Sequence, residues 1–208
     1  MPIVAVANPK GGVGKSTLST NIAGYYASRG HEVLLGDVDR QQSSRLWLGL
    51  RPPTAPAIGT WETSDSLVTR PPRTASHAVL DTPGGLHGWR SADVFKMADK
   101  VVVPLQASVF DIFATRGFLD ELAALRRGPG GGPEIGIVGM RVDSRTIAAD
   151  HLQTFVESLG LPVLGYLRNT QNYVHLAARG LSLFDVAPGR VEKDLVQWEP
   201  ICRWLDAA

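Results

Sequence analysis

The sequence predicts a doubly wound α/β fold: a mostly parallel sheet with helices on both faces. Short apolar runs alternate with stretches of helical spacing, and a loop holding three glycines separates the first run from the first helical stretch. Residues 3–7 are apolar throughout, as a strand buried on both faces requires, and 18–28 reads as the helix that follows. Further strands are expected at 32–37, 78–81, 100–105, 135–140 and 162–167, each short, apolar and bounded by polar or glycine residues. Helical spacing recurs over 110–127 and 146–159. Residues 51–76, with five prolines, and 128–133 read as surface loops. Neither loop separates two hydrophobic blocks of domain size, so a single domain over 1–208 is expected, without internal repeats.

Composition narrows the class. A chain of 208 residues is long enough for one sizeable α/β core and short for two. The lone Cys202 excludes an internal disulfide. No apolar stretch approaches the roughly 20 residues of a membrane span, and the chain enters its first strand without a basic and apolar leader, so the cytoplasm is the expected location. A net charge of +1 neither demands nor excludes nucleic acid, because a neutral protein can carry a basic patch.

Chemistry concentrates in Lys10-Gly11-Gly12-Val13-Gly14-Lys15-Ser16-Thr17. Strand, glycine loop, Lys-Ser and helix is the layout of a phosphate-binding loop. Glycines let backbone N–H groups turn inward around phosphate oxygens, and the helix N-terminus adds its positive end. Lys15 neutralises the outer phosphates, and Ser16 offers a hydroxyl to Mg²⁺. The expected ligand is a nucleoside triphosphate. The commoner pattern has glycine six places before the lysine, where this chain has Pro9, and Lys10 is an addition to it. A loop of the form K-G-G-x-G-K-S resembles the deviant Walker A loop of the ParA/MinD family of ATPases. The resemblance implies a P-loop NTPase fold in which Lys10 reaches across a dimer interface to phosphates held by the partner subunit. A lone loop lysine is ordinarily solvated, but within this octapeptide after a strand the functional reading outweighs that one.

The carboxylates extend the resemblance. Asp81 ends an apolar run and opens Asp81-Thr82-Pro83-Gly84-Gly85, similar to a Walker B aspartate that holds a water on Mg²⁺, with a glycine switch beside the γ-phosphate. Asp37-Val38-Asp39-Arg40-Gln41-Gln42 is similar to the family's D-x-D-P-Q switch, with Arg40 in place of proline. By that match Asp39 positions the attacking water and Asp37 supports the Mg²⁺ shell; the plain alternative is that strand-end aspartates cap the next helix. The stretch 98–104, then Ser108, Asp111 and Ala114-Thr115, Leu167-Arg168-Asn169-Thr170 and 177–182 match the family over nearly the whole chain. Met140-Arg141 stands where many relatives read adenine with asparagine.

The resemblance implies ATP and Mg²⁺ as ligands, slow ATP hydrolysis, and an ATP-dependent homodimer that binds non-specific DNA. A ParB-like or other adaptor would stimulate release in a bacterial, nucleoid-associated protein. Arg168, Arg179, Arg190 and Lys193 are the DNA candidates, with Asp185 and Glu192 among them. With the first strand beginning at residue 3, no helix-turn-helix module ahead of it is expected. Three rivals share the loop. A MinD-like membrane ATPase would end in a basic amphipathic helix, whereas 191–208 pairs its apolar stripe (Val191, Leu195, Trp198, Cys202, Leu205) with four acidic residues, which favours packing on the sheet and no membrane partner. An iron–sulfur carrier needs paired cysteines. A small-molecule synthetase lacks the switch matches. His77 and His87 read as polar loop residues, and Trp47, Trp61 and Trp89 as packing anchors.

Overall fold

A computed structural model describes residues 1–63, 68–85, 89–126, 132–142 and 145–207. Seven strands, β1 (Ile3–Val6), β2 (Val33–Asp37), β3 (Ile58–Gly59), β4 (His77–Asp81), β5 (Lys100–Gln106), β6 (Glu134–Met140) and β7 (Val163–Leu167), form one sheet in the order β3-β2-β4-β1-β5-β6-β7. Every neighbouring pair is parallel. Parallel neighbours need crossovers, and α1 (Lys15–Ser28), α2 (Ser43–Leu50), α3 (Trp89–Met97), α4 (Val109–Arg126) and α5 (Ile147–Ser158) lie on them, while α6 (Gln171–Ala177) and α7 (Glu192–Asp206) follow the last strand.

The period of two along each strand divides the core into two layers. Ile3 and Ala5 of β1 face a cluster built with α3, α4 and α5, while Val4 and Val6 face one built with α1, α2 and α7. The chain starts in the middle of the sheet. From β1 it crosses to β2 and β4 on one side, then passes back over β1 to β5, β6 and β7 on the other. The carboxyl end of β1 is thus the topological switch point, where ligands of open α/β sheets bind.

All six expected strands and all expected helices are present. Two expectations need correction. The 51–76 stretch is not loop throughout: Ile58–Gly59 pairs with β2, Val33 opposite Ile58, and Trp61 is buried with its indole N–H on the Thr69 carbonyl. A two-residue edge strand tolerates proline neighbours, which is why composition hides it. His77 is not a loop residue either; it opens β4, half-buried, its ring 4.3 Å from that of Tyr26 and 4.1 Å from that of His31. His87 and most of the 128–133 loop lie outside the described residues.

The apolar stripe of the tail packs against β7: Val191, Trp198, Ile201 and Leu205 are buried, and the Trp198 indole N–H donates to the Tyr173 hydroxyl at 2.9 Å. Trp47 is buried as an anchor, its N–H on the Leu181 carbonyl. Among the described residues no helix is long and apolar enough to cross a membrane. A buried ion pair ties the end of α2 to the turn at 180–185. Arg51 meets Asp185 through both terminal guanidinium nitrogens at 2.7 and 2.9 Å and also donates to the Gly180 carbonyl. The same turn rests on α1, where Asn21 accepts from the Leu183 N–H.

Candidate nucleotide site and its metal side

Three glycines and an uncapped helix shape the centre of the site. Gly14, at φ +101°, turns the chain into α1, and no side chain caps that helix and no acidic residue sits in its first turn. Its leading N–H groups are therefore open to an anion. A Cβ added to Gly11 or Gly12 would meet nothing within 4 Å, so the cradle in front of those groups is empty of protein. Asn8 sets the turn from β1, accepting from the Lys10 N–H at 2.8 Å and donating to the Pro104 carbonyl at 2.7 Å.

Lys15 leans back over this cradle. Its ammonium donates to the Lys10 carbonyl at 2.8 Å, and only 7% of the residue is exposed. Burial lowers its pKa, opposed by the charges of Asp81 and Asp39. Among the described residues it forms no ion pair. A buried ammonium hydrogen-bonded to a carbonyl is short of negative charge, and phosphate oxygens are the group that would supply it.

The deviant lysine behaves differently. The Lys10 ammonium is paired with Asp111 of the same chain, on the first turn of α4, and the Asp111 side chain is 7% exposed. The lysine expected to serve a partner subunit is thus engaged within its own chain in this structure.

On the other side of the cradle, β2 and β4 end in register, Asp37 opposite Asp81. Asp37 accepts from the backbone N–H groups of Asp39, Ser44 and Arg45 at 2.8–3.1 Å, so it caps α2 and folds the switch turn. Gln42, at φ 53°, closes the turn by donating to the Asp37 and Asp39 carbonyls. With both ends held, the turn needs no proline at Arg40. The plain alternative for Asp37, helix capping, is realised, while its register with Asp81 keeps it beside the second carboxylate.

Asp81 is fully buried and accepts from three serines: Ser44 at 2.6 Å, Ser19 at 3.2 Å, and Ser16. Burial pushes its carboxyl up to about 6, against those three hydrogen bonds. Burial likewise raises Asp37, against its backbone donors. A hydroxyl and two carboxylates beside an anion cradle are hard oxygen donors, which fit a Mg²⁺ ion whose remaining positions come from phosphate and water. Asp39 is half-buried and its charge is felt at Lys15. The loop after β4 closes over the cradle, with the Gly85 N–H on the Pro9 carbonyl and a Gly84 Cβ position 3.5 Å from Gly11.

Met140 and Arg141 come to the opposite end of the loop. A Cβ on Gly14 would lie 2.6 Å from the Met140 Cε. Arg141 is exposed in the left-handed region at φ 55°. With Gly14, Thr17 and the 168–174 segment they line a cavity of about 90 Å³ that continues the cradle. Arg168 is one of its walls. It donates to the fully buried Asp194 at 2.6 Å, and Asn172 donates to the other oxygen of that carboxylate. Arg168 thus borders this cavity with its side chain still 40% exposed, and Arg179, Arg190 and Lys193 are exposed and form no ion pair among the described residues. Sequence reasoning missed Ser19, Ser44 and Asp194, and gave Asp111 no role.

The glycine loop at an open helix N-terminus suits phosphate, and the two carboxylates suit a hard divalent ion; the class so defined is a P-loop ATPase that takes ATP with Mg²⁺. Residues 4–184 match the CobQ/CobB/MinD/ParA nucleotide binding domain, and the chain belongs to that family. It is similar to the maintenance of carboxysome distribution protein A of Halothiobacillus neapolitanus, 29% identical and covering 92% of this chain and 91% of that one. It is equally 29% identical to the chromosome-partitioning ATPase Soj of Thermus thermophilus, over 72% and 73% of the two chains. Among solved structures, the ATP complex of a Cyanothece McdA variant shares the fold with a TM-score of 0.74 at 17% identity, covering 97% of this chain and 96% of that one.

Proposed function

We propose that this chain is a cytoplasmic positioning ATPase. ATP binding closes two copies face to face through Lys10, the dimer holds non-specific DNA, and hydrolysis stimulated by an adaptor protein releases it. The observation that carries the reading is the pair of lysines: Lys15 is buried at an open helix N-terminus without an ion pair among the described residues, and Lys10 stands beside it at the mouth of the same cradle, its side chain 41% exposed. In this reading Lys15 neutralises charge on the outer phosphates, Asp39 orients the attacking water for in-line displacement, and Ser16, Asp37 and Asp81 form the Mg²⁺ side. Lys10 leaves Asp111 for the partner's phosphates. Relatives that distribute carboxysomes or partition chromosomes make a protein assembly or a DNA region the natural cargo.

The test is Lys10→Ala, with mass measured in solution in ATP plus Mg²⁺ and in ADP. Loss of the ATP-dependent dimer supports the reading; a dimer and turnover equal to wild type refute the cross-subunit role. For DNA, the exposed Arg179, Arg190 and Lys193 are the phosphate contacts proposed, and Arg168 is withdrawn from that group by its buried partner. Replacing the three together is expected to flatten the salt dependence of ATP-dependent DNA binding by about three counterions. An unchanged slope would place the DNA surface elsewhere. Turnover that depends on a metabolite, with no effect of DNA or protein partner, would favour the synthetase branch of the family instead.

A further inference from the structure

Ser44 occupies an unusual place between the two strand-end carboxylates. It sits in the first turn of α2 with no exposed surface. Its hydroxyl donates to Asp81 Oδ2 at 2.6 Å, and its backbone N–H donates to Asp37 Oδ2 at 2.8 Å. No other residue described in the site bonds to both. A hydroxyl-to-carboxylate bond of 2.6 Å lies in the strong, charge-assisted range, while the Ser19 contact to Oδ1 is long at 3.2 Å. One oxygen of Asp81 is therefore pinned from α2, and the other is held loosely on the side of α1 and the cradle.

We propose that Ser44 is a positioning residue for the metal side: it fixes the rotamer of Asp81 so that Oδ1 faces the water shell of the Mg²⁺ bound with ATP, and it joins that carboxylate to the switch turn that carries Asp39. The inference rests on the reading of Asp81 as the metal-side carboxylate. Without the Ser44 hydroxyl, Oδ2 has lost its strongest donor in a site sealed from solvent, and the carboxylate turns to seek another partner. The backbone cap from Ser44 to Asp37 survives any side-chain change, so α2 keeps its start.

Ser44→Ala and Ser44→Cys separate positioning from packing, because cysteine keeps the volume while offering only a weak donor. The measurement is the affinity for a fluorescent ATP analogue with Mg²⁺ and with EDTA, the ratio of the two being the metal's contribution, alongside kcat and KM for Mg-ATP. Both variants are expected to cut that ratio about tenfold and to lower kcat more than they raise KM, the size usual for a partner that orients a metal-side group. Affinity in EDTA should move less than twofold. A helix cap or packing role would alter the melting temperature and leave the ratio alone. Asp81→Asn is run beside them. If it collapses the ratio while both Ser44 variants leave it at the wild-type value, Ser44 does not position Asp81 and the inference falls alone. If Asp81→Asn also leaves the ratio unchanged, Asp81 is not on the metal side and the inference falls with that reading.

Discussion

Replacing Asp81 by asparagine is expected to stabilise the ligand-free protein at neutral pH even as it removes the carboxylate proposed for the metal side. The side chain is fully buried, and burial moves its carboxyl from 3.8 to about 6 despite hydrogen bonds from Ser44, Ser16 and Ser19. Between those two values the folded state holds a proton that the unfolded state has released. Stability therefore falls as pH rises from about 4 to about 6 and stays low above that. The displacement corresponds to about 3 kcal/mol carried by the folded protein at pH 7.5. Asparagine keeps the shape without the charge, and the serine hydroxyls can donate to its oxygen and accept from its nitrogen. The variant should gain about 3 kcal/mol at pH 7.5, a rise of roughly 6–12 °C in melting temperature for a chain of this size. Near pH 4 the gain should vanish. Thermal unfolding in EDTA without nucleotide, at pH 4.5, 6 and 7.5, measures it. A variant melting at or below wild type at pH 7.5, or an advantage that does not shrink toward pH 4.5, refutes the burial argument.

Two other substitutions probe the polar pairs. Asp111→Asn removes the negative charge that holds Lys10 within its own chain, so the ATP-dependent dimer should tighten by roughly tenfold, the equivalent of about 1.4 kcal/mol; sedimentation with a non-hydrolysable ATP analogue reads the dissociation constant, and a weaker dimer would contradict the exchange. Arg51→Ala strands the buried Asp185 carboxylate and should lower stability by about 3–5 kcal/mol, visible as a lower urea midpoint at unchanged slope, whereas Arg51→Met with Asp185→Leu should recover most of the loss. A single Arg51 variant as stable as the double one would show that the pair is not the fastening it resembles.

What the sequence makes legible is what neighbours in the chain decide. Strands β1, β4, β5 and β6 read clearly because they are buried on both faces, which forces runs of apolar residues. The phosphate loop reads clearly because one octapeptide carries its glycines, lysines and hydroxyls. Asp37 and Asp81 could be placed because each ends such a run. Short elements escaped: β3 has two residues, and α2 has eight, begun by a glutamine in the left-handed region. The partners within the site escaped for another reason. Ser44 finds Asp81 across 37 positions, Arg168 finds Asp194 across 26, and Lys10 finds Asp111 across 101. Nothing local marks such a pair, and Asp194 in particular looked like one more charge on an acidic tail.

The short helix that composition hid is the element that joins the site to the rest of that face. α2 is anchored at its start by Ser44, between Asp37 and Asp81, and just past its end by Arg51 on Asp185. Eight residues span about 12 Å of helix, too short a rod to bend along its length. In the proposed reading, movement of Ser44 with Asp81 would reach Arg51 as displacement of the whole helix. The 180–185 turn is flanked in sequence by Arg179 and Arg190, exposed and without an ion pair among the described residues, and is itself tied to α1 through Asn21. Since α1 also carries Lys15 and Ser16, the turn is held by the glycine loop's helix from one side and by the proposed metal side from the other. Arg51→Ala weakens only the second connection, leaving the Trp47 indole N–H on the Leu181 carbonyl, so ATP binding should survive it at temperatures where the variant remains folded, while the proposed difference in DNA affinity between ATP and ADP should diminish. An undiminished difference would mean that the Arg51–Asp185 pair does not convey the nucleotide state.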